Sequence, residues 1–470
     1  MITKRGVFVL SLVHCIYASS LNAADLDKKY ATIPKEVQKN GVDFGGADTD
    51  DATVAVFCDF SWQSFIALNW PAHDWPANPR RGIPDTTLDF SETSRPRVWE
   101  TWKSGFETIP KQPSHGSIVQ PLLWNQVGDA TPVGATTLSK PKVFGSNTLY
   151  GDISQADFGG FAAPLICQNH TYTHFEVHVN RPEFDTIRGE DFYLIEAINA
   201  HALDPHHDEF QFPNGSITVK ASWRELLASE DATTYYVREA DVLDYRTGGS
   251  DKRKLGLVGF HIVAKTPLRK QWIWISFEHA RNVPGLATGS GYSYNDGSNA
   301  GLSSEPAKVG DPSNLYVSPT PSNSLVPAQA VRQNPLHVQT ILANTKFHAM
   351  LPPNSVWRNY HLVMTQWPTT PNEPDEKPFP ADPTNAPTDV NVSNTTMETW
   401  HQATSCISCH ELAEDAGFDY VFFPSIHAQR SPTGFAAAMA TPAASDLQQK
   451  IRRQLDKSVL RSRELQNNKR

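Results

Sequence analysis

No internal apolar run in this 470-residue chain approaches the roughly 18 residues needed to cross a bilayer, so nothing beyond its first two dozen residues reads as a membrane span. Basic charge is in deficit. Lys and Arg number 41 against 50 Asp and Glu, a net charge of -9, which excludes nucleic acid as an expected partner because phosphate binding needs a basic surface. The common catalytic signatures are missing too: no P-loop, no GxGxxG after a strand, no GxSxG and no HExxH. No internal repeat is present. Cysteine and methionine are scarce, at five residues each, so every one can be weighed singly. What the chain does hold is ordinary globular material, 39% hydrophobic and rich in aromatics, with 12 Trp and 23 Phe to fill a core.

The first residues read as a signal peptide over 1–24. Lys4 and Arg5 form its charged start, Gly6 to Ala18 a short apolar stretch, and SSLNAA supplies small residues for cleavage between Ser20 and Ala24. The alternative, an uncleaved anchor, is disfavoured because the apolar stretch is short. Export to the periplasm follows, and cleavage removes Cys15, leaving Cys58, Cys167, Cys406 and Cys409. An oxidising compartment then permits a Cys58–Cys167 disulfide, the alternative being two separate buried thiols.

Along the chain, CDFSWQSFIALNWPA spaces Phe57, Trp62, Phe65 and Ile66 as a helix that Pro71 closes. FEVHVN, DFYLIEAI, GSITVKASW, TYYVREADV, LGLVGFHIVAK and QWIWISFEH each read as strands. Residues 284–336, rich in Gly, Ser, Asn and Pro, read as a long loop. LHVQTILANTKFHAM then reads as a helix and NYHLVMTQW as a strand. From Pro368 to Pro387 seven prolines fall among polar residues, a composition that cannot bury a core. The expected organisation is α+β: a β-rich body over 25–366, a proline-rich linker over 367–394, and a small all-α module over 395–470. That module ends in a basic helical tail, with Leu447, Ile451, Leu455 and Val459 as its apolar stripe. Its basic residues suit peripheral docking to an acidic partner or membrane face, although a solvated terminal helix explains them as well.

The chemistry-bearing string is SCISCH, at 405–410. Two thiols three residues apart on a helical turn reach the edge of one porphyrin and form thioethers with its two vinyl groups, while the adjacent histidine lies under the iron. Cys406 and Cys409 are thus the expected covalent attachment points of one haem c and His410 its expected proximal iron ligand, which makes 395–470 a small all-α, cytochrome c-like haem module. A zinc site needs four ligands, and no second CxxC or HxxxH is present. A thioredoxin-like pair needs a βαβ setting that is lacking here. The preceding TMETWHQATS is free of Gly and Pro, which puts the motif on a helix.

The sixth iron ligand stays open. Met439, in GFAAAMATP, and His427, in PSIHAQ, are candidates within the module. His279 is a candidate from the body, against the commoner role of a core histidine bonded to backbone. His170, His174 and His178 share one strand face, but four residues of strand span about 13 Å, so the three cannot chelate one metal. His201, His206, His207 and Asp208 have ligand-like chemistry without ligand-like spacing.

SWQSFIALNWPA, GSITVKASWREL, WIWISFEHARNVP, NYHLVMTQWP and TTMETWHQATSCISCH, in that order between residues 61 and 410, resemble bacterial monohaem cytochrome c family proteins with a long N-terminal region and one C-terminal CxxCH. The resemblance implies haem binding through Cys406, Cys409 and His410 and implies no substrate. After the motif the chain departs from that pattern, with FDYVFF at 418–423. The sequence reading is therefore an exported c-type cytochrome that passes single electrons to a redox partner protein. A haem-dependent oxidoreductase with a substrate pocket in the body, and a haem-based sensor or binding protein, are the alternatives, so enzyme status is open.

Overall fold

The computed structural model describes residues 26–38, 51–73, 80–127, 142–144, 148–150, 165–243, 250–287, 290–298, 327–367, 392–399, 402, 405–414 and 417–432. The expected signal peptide, most of the expected linker and the basic tail lie outside the described residues.

Alternation of β-branched and aromatic residues with polar ones makes the middle of the chain strand-forming. The strands are β1 (Lys103–Ser104), β2 (Lys142–Phe144), β3 (Thr148–Tyr150), β4 (Thr173–Val179), β5 (Ile217–Glu225), β6 (Val237–Leu243), β7 (Ser250–Thr266), β8 (Arg269–His279) and β9 (Tyr360–Gln366). Seven of them form one antiparallel sheet in the order β1-β4-β5-β7-β8-β9, with β6 also paired to β7, while β2 and β3 pair with each other. The helices are α1 (Asp51–Leu68), α2 (Gly105–Thr108), α3 (Arg181–Gly189), α4 (Ile195–Ala202), α5 (Val338–Met350), α6 (Cys406–Glu414) and α7 (Phe422–His427). The expected mixture of helices with a large β-rich body is what the chain forms. None of the described helices is long and apolar enough to cross a membrane.

DFYLIEAI is not the strand expected of it. Asp191 takes a left-handed φ of 53°, which breaks any extended run, and Leu194 N–H bonds back to Asp191 O. The chain then turns into α4, where Ile198 is buried. Its β-branched and aromatic content misleads because those residues fill a helix–sheet core here.

Successive residues of a strand point to opposite faces, so the two faces of the sheet have different covers. On the first face lie α1 and α5. Phe65 of α1 stacks on Phe277 of β8 at 4.1 Å, and Trp62 stacks on Phe347 of α5 at 5.4 Å. Burying a side chain such as Phe65 completely contributes roughly 1.5–3 kcal/mol. Asn344 ties the layers together: its Oδ1 accepts from Trp62 Nε1 and Leu362 N, and its Nδ2 donates to Leu362 O.

The second face is covered by residues 392–432. Asn394 Nδ2 donates to Ser276 Oγ and Phe277 O. Thr395 donates through both its N–H and its hydroxyl to the fully buried Glu278, which also accepts from Arg332. Ile407, Phe418, Tyr420 and Phe423 belong to the same core as the sheet residues. Of the stretch 396–405, expected to be helical, residues 396–399 form turn and bend, while the motif itself sits on a helix, α6, from Cys406 as expected. Asn394, Thr395 and Thr396 bond locally and to the sheet, which competes with helix formation.

Gly259 of β7 makes this close approach possible. A Cβ there would overlap Thr396 Oγ1 and Ser222 Oγ. Gly259→Ala is expected to lower stability by about 1–3 kcal/mol, as overpacking does, with the 392–432 segment becoming sensitive to limited proteolysis before the sheet does. Urea unfolding and time-resolved digestion check both outcomes.

Candidate functional site

The start of α6 is set by the sheet: Cys406 N–H donates to Gln366 Oε1 of β9 at 2.9 Å. Cys406 and Cys409 stand three residues apart on this helix, one turn, with His410 next to them. Ile407 is buried and anchors the opposite side of that turn. Cys406 packs against Val363, Met364 and Val392. Burial, then the charges of Glu398 and Cys409, holds its thiol well above the ordinary range, so the sulfur keeps its proton at neutral pH.

His410 has a defined tautomer. Its Nδ1 lies 2.7 Å from Tyr420 O, and a carbonyl only accepts, so the ring donates from Nδ1 and the Nε2 lone pair is left available for a metal. Trp274 of β8 and Phe422 of α7 flank the imidazole, with ring centroids 4.3 and 4.9 Å away. Burial pulls its pKa down to about 4, partly opposed by the Tyr420 bond and reinforced by Lys220. The imidazole is therefore neutral at pH 7, the form that ligates metals.

The carbonyl that orients His410 sits on unusual backbone. Asp419 and Tyr420 are consecutive non-glycine residues with positive φ, 46° and 65°. Left-handed conformation in such residues costs roughly 1–2 kcal/mol each and persists only when the surroundings hold it. Asp419 supplies that hold. Its carboxylate pairs with Lys265 of β7 and accepts from Phe212 N, and its carbonyl accepts from Trp272 Nε1. Burial raises the Asp419 pKa to about 6, against the pull of Lys265. Nearby, both oxygens of the buried Glu183 lie within hydrogen-bond reach of Thr218 Oγ1, and burial, with Asp419 adding to it, raises its pKa to about 8.

Opposite α6, the second face of the sheet presents His261. It pairs across strands with Lys220 of β5 and Ser276 of β8. Its Nε2 is buried without a hydrogen bond, the nearest carboxylate oxygen, Glu398 Oε2, being 3.6 Å away. Burial, then Lys220 and His410, lowers its pKa to about 3. Sequence reasoning passed over this residue. The available signal was GFHIVAK, where His261 and Lys265 interrupt an apolar strand while Phe260, Ile262 and Ala264 point to the other face.

The remaining candidates fall elsewhere. Met439 lies outside the described residues. The expected Cys58–Cys167 disulfide is not formed. Cys58 Sγ lies 3.6 Å from Thr340 Oγ1 on the α1–α5 side, and Cys167 Sγ lies 3.6 Å from Thr173 Oγ1 in a separate cluster with Phe175 and Met397. The sheet stands between the two thiols. His279 is a core histidine: Nε2 donates to Thr234 O, and Nδ1 accepts from Arg281 N. His174 bonds Glu225, His178 bonds Glu176, and His170 occupies a turn with φ 62°. His201 bonds Gly417 O, and His206 bonds Glu209. His427 ends α7 beside Phe423. Among the described residues no three His, Cys, Asp or Glu side chains are grouped to hold a bare metal ion.

The residues on α6 fit a covalent haem. Two cysteines lie one turn apart, the adjacent imidazole is neutral with Nε2 available, and aromatic surfaces stand beside it.

Two measurements probe the support of this site. Lys265→Met, which leaves the Asp419 carboxylate buried without its cation, is expected to cost about 3–5 kcal/mol in urea unfolding, and Lys265→Met combined with Asp419→Leu to recover part of that loss. Glu183 holds its proton more tightly folded than unfolded. Stability should therefore decline by an amount on the order of a few kcal/mol as pH rises from about 4.5 to about 8, and Glu183→Gln should flatten that decline. No family model matches the chain, and no curated protein or solved structure is significantly similar to it.

Proposed function

We propose that this chain is an exported, periplasmic monohaem c-type cytochrome that transfers single electrons, with one haem c bound through Cys406 and Cys409 and His410 as proximal ligand. The observation that carries the reading is the Nδ1–H bond from His410 to Tyr420 O. It selects the tautomer that leaves Nε2 available for a metal and fixes the ring next to the two cysteines of α6.

A bound haem supplies an iron that gains and loses one electron. The chain does the rest. Cys406 and Cys409 would hold the group through thioether links to its two vinyl substituents, each formed by adding the S–H across the double bond, which needs no oxidant. His410 stays neutral and oriented. Trp274 and Phe422 exclude water beside it, and a dry, low-dielectric surround is one of the levers that set a haem potential. A redox partner protein supplies or accepts the electron. Docking of such a partner on the basic tail concerns residues outside those described.

The test is expression with a haem-attachment system, followed by intact mass and haem staining of the denatured protein. The mature chain should carry the mass of one haem. Cys409→Ala should reduce haem-stained protein sharply, and Cys406→Ala with Cys409→Ala should abolish it. Unchanged staining in the double variant would remove the reading. Ferrous protein should show no carbon monoxide shift. A high-spin iron that binds carbon monoxide readily would favour a haem-dependent oxidoreductase instead.

A further inference from the structure

The haem reading assigns one axial position, to His410, and the sheet face on which the 392–399 segment lies carries a histidine of its own, His261. We infer that His261 is the second axial ligand, so that the iron is held between one histidine from α6 and one from the central strand β7. This inference rests on the haem reading and adds the body as a ligand donor.

Two observations converge on His261. The first is placement. His261 points to the sheet face that carries the 392–432 segment: its cross-strand partner Ser276 bonds Asn394, and Trp274, two residues along β8 on the same face, touches the His410 ring. The second is an unmet requirement. A buried polar atom without a partner costs roughly 1–3 kcal/mol, and such atoms mark strain, catalysis or an ion. His261 Nε2 is such an atom, while the side chain as a whole keeps only 14% exposure. Glu398 Oε2, 3.6 Å from His261 Nε2, stands beyond a hydrogen bond.

Among the described residues the methionines of this side are otherwise engaged. Met364, which also pairs with Ser276, packs with Val363 and Val392, and Met397 fills the cluster around Cys167. A ligand from the sheet also gives the large body a physical task. A strand residue flanked by paired strands holds its nitrogen more rigidly than a loop does, and rigid axial ligands suit an iron that must change oxidation state without rearranging.

The experiment uses the full mature chain with its haem attached, read by optical, electron paramagnetic resonance and near-infrared magnetic circular dichroism spectra. The wild type should be low-spin with two imidazole ligands. His261→Ala should become high-spin and bind carbon monoxide, and added imidazole should restore the low-spin spectrum. His261→Met, which keeps the packing if the alanine variant fails to fold, should gain a methionine-to-iron charge-transfer band. A wild type that already shows this band, or a His261→Ala spectrum identical to wild type, overturns the assignment while covalent haem remains. A wild type without haem overturns it together with the reading beneath it.

Discussion

The buried pair between Lys265 and Asp419 is the contact on which the candidate site depends. Lys265 belongs to the longest strand of the sheet, and Asp419 opens a two-residue left-handed turn that no local preference of Asp-Tyr would hold by itself. With the carboxylate gripped by Lys265 and Phe212 N, and the carbonyl by Trp272, the next carbonyl, that of Tyr420, is aimed at His410. An ion pair taken out of water adds little net stability, since desolvation offsets most of the attraction. Its effect here is geometric. It fixes which ring nitrogen of His410 carries the proton.

The upstream end of the same segment is held by different means toward the same result. Glu278 gathers Thr395 and Arg332, Asn394 reaches two groups of β8, and Gly259 leaves room for Thr396 against the strand. Between these two anchorages lies α6, whose first N–H is received by Gln366 of β9. The helix bearing the CxxCH string is therefore seated on the sheet at three points. The body sets Trp274 against the His410 ring and carries His261 on the same sheet face.

The polar residues of the second face are costly to bury, and that face would be unstable if it met only apolar side chains. Lys220, His261, Lys265, Ser276 and Glu278 all project there, and each of the last three has a specific partner in the C-terminal segment. The first face shows the opposite economy, with Phe65, Trp62, Phe277 and Phe347 packed around one polar bracket, Asn344. One sheet thus carries a structural face and a site-building face, distinguished by whether its alternate residues are apolar or polar.

Much of this was legible in the residues alone. The strands from FEVHVN to NYHLVMTQW, the α1 and α5 helices and the CxxCH string all follow from local pattern, because period-two and period-3.6 spacing and thiol spacing are properties of neighbours in sequence. DFYLIEAI was misread, since its turn at Asp191 depends on backbone that composition does not reveal. Cys58 and Cys167 looked like a pair by counting, yet they lie on opposite sides of the sheet, a relation only the strand order can establish. His261 and Lys265 stood unremarked in GFHIVAK because one strand cannot tell what will cover it. Local spacing determined where the CxxCH string falls. Tertiary packing alone decided what surrounds it, because Trp274 and His410 come into contact only once the C-terminal segment lies on the sheet.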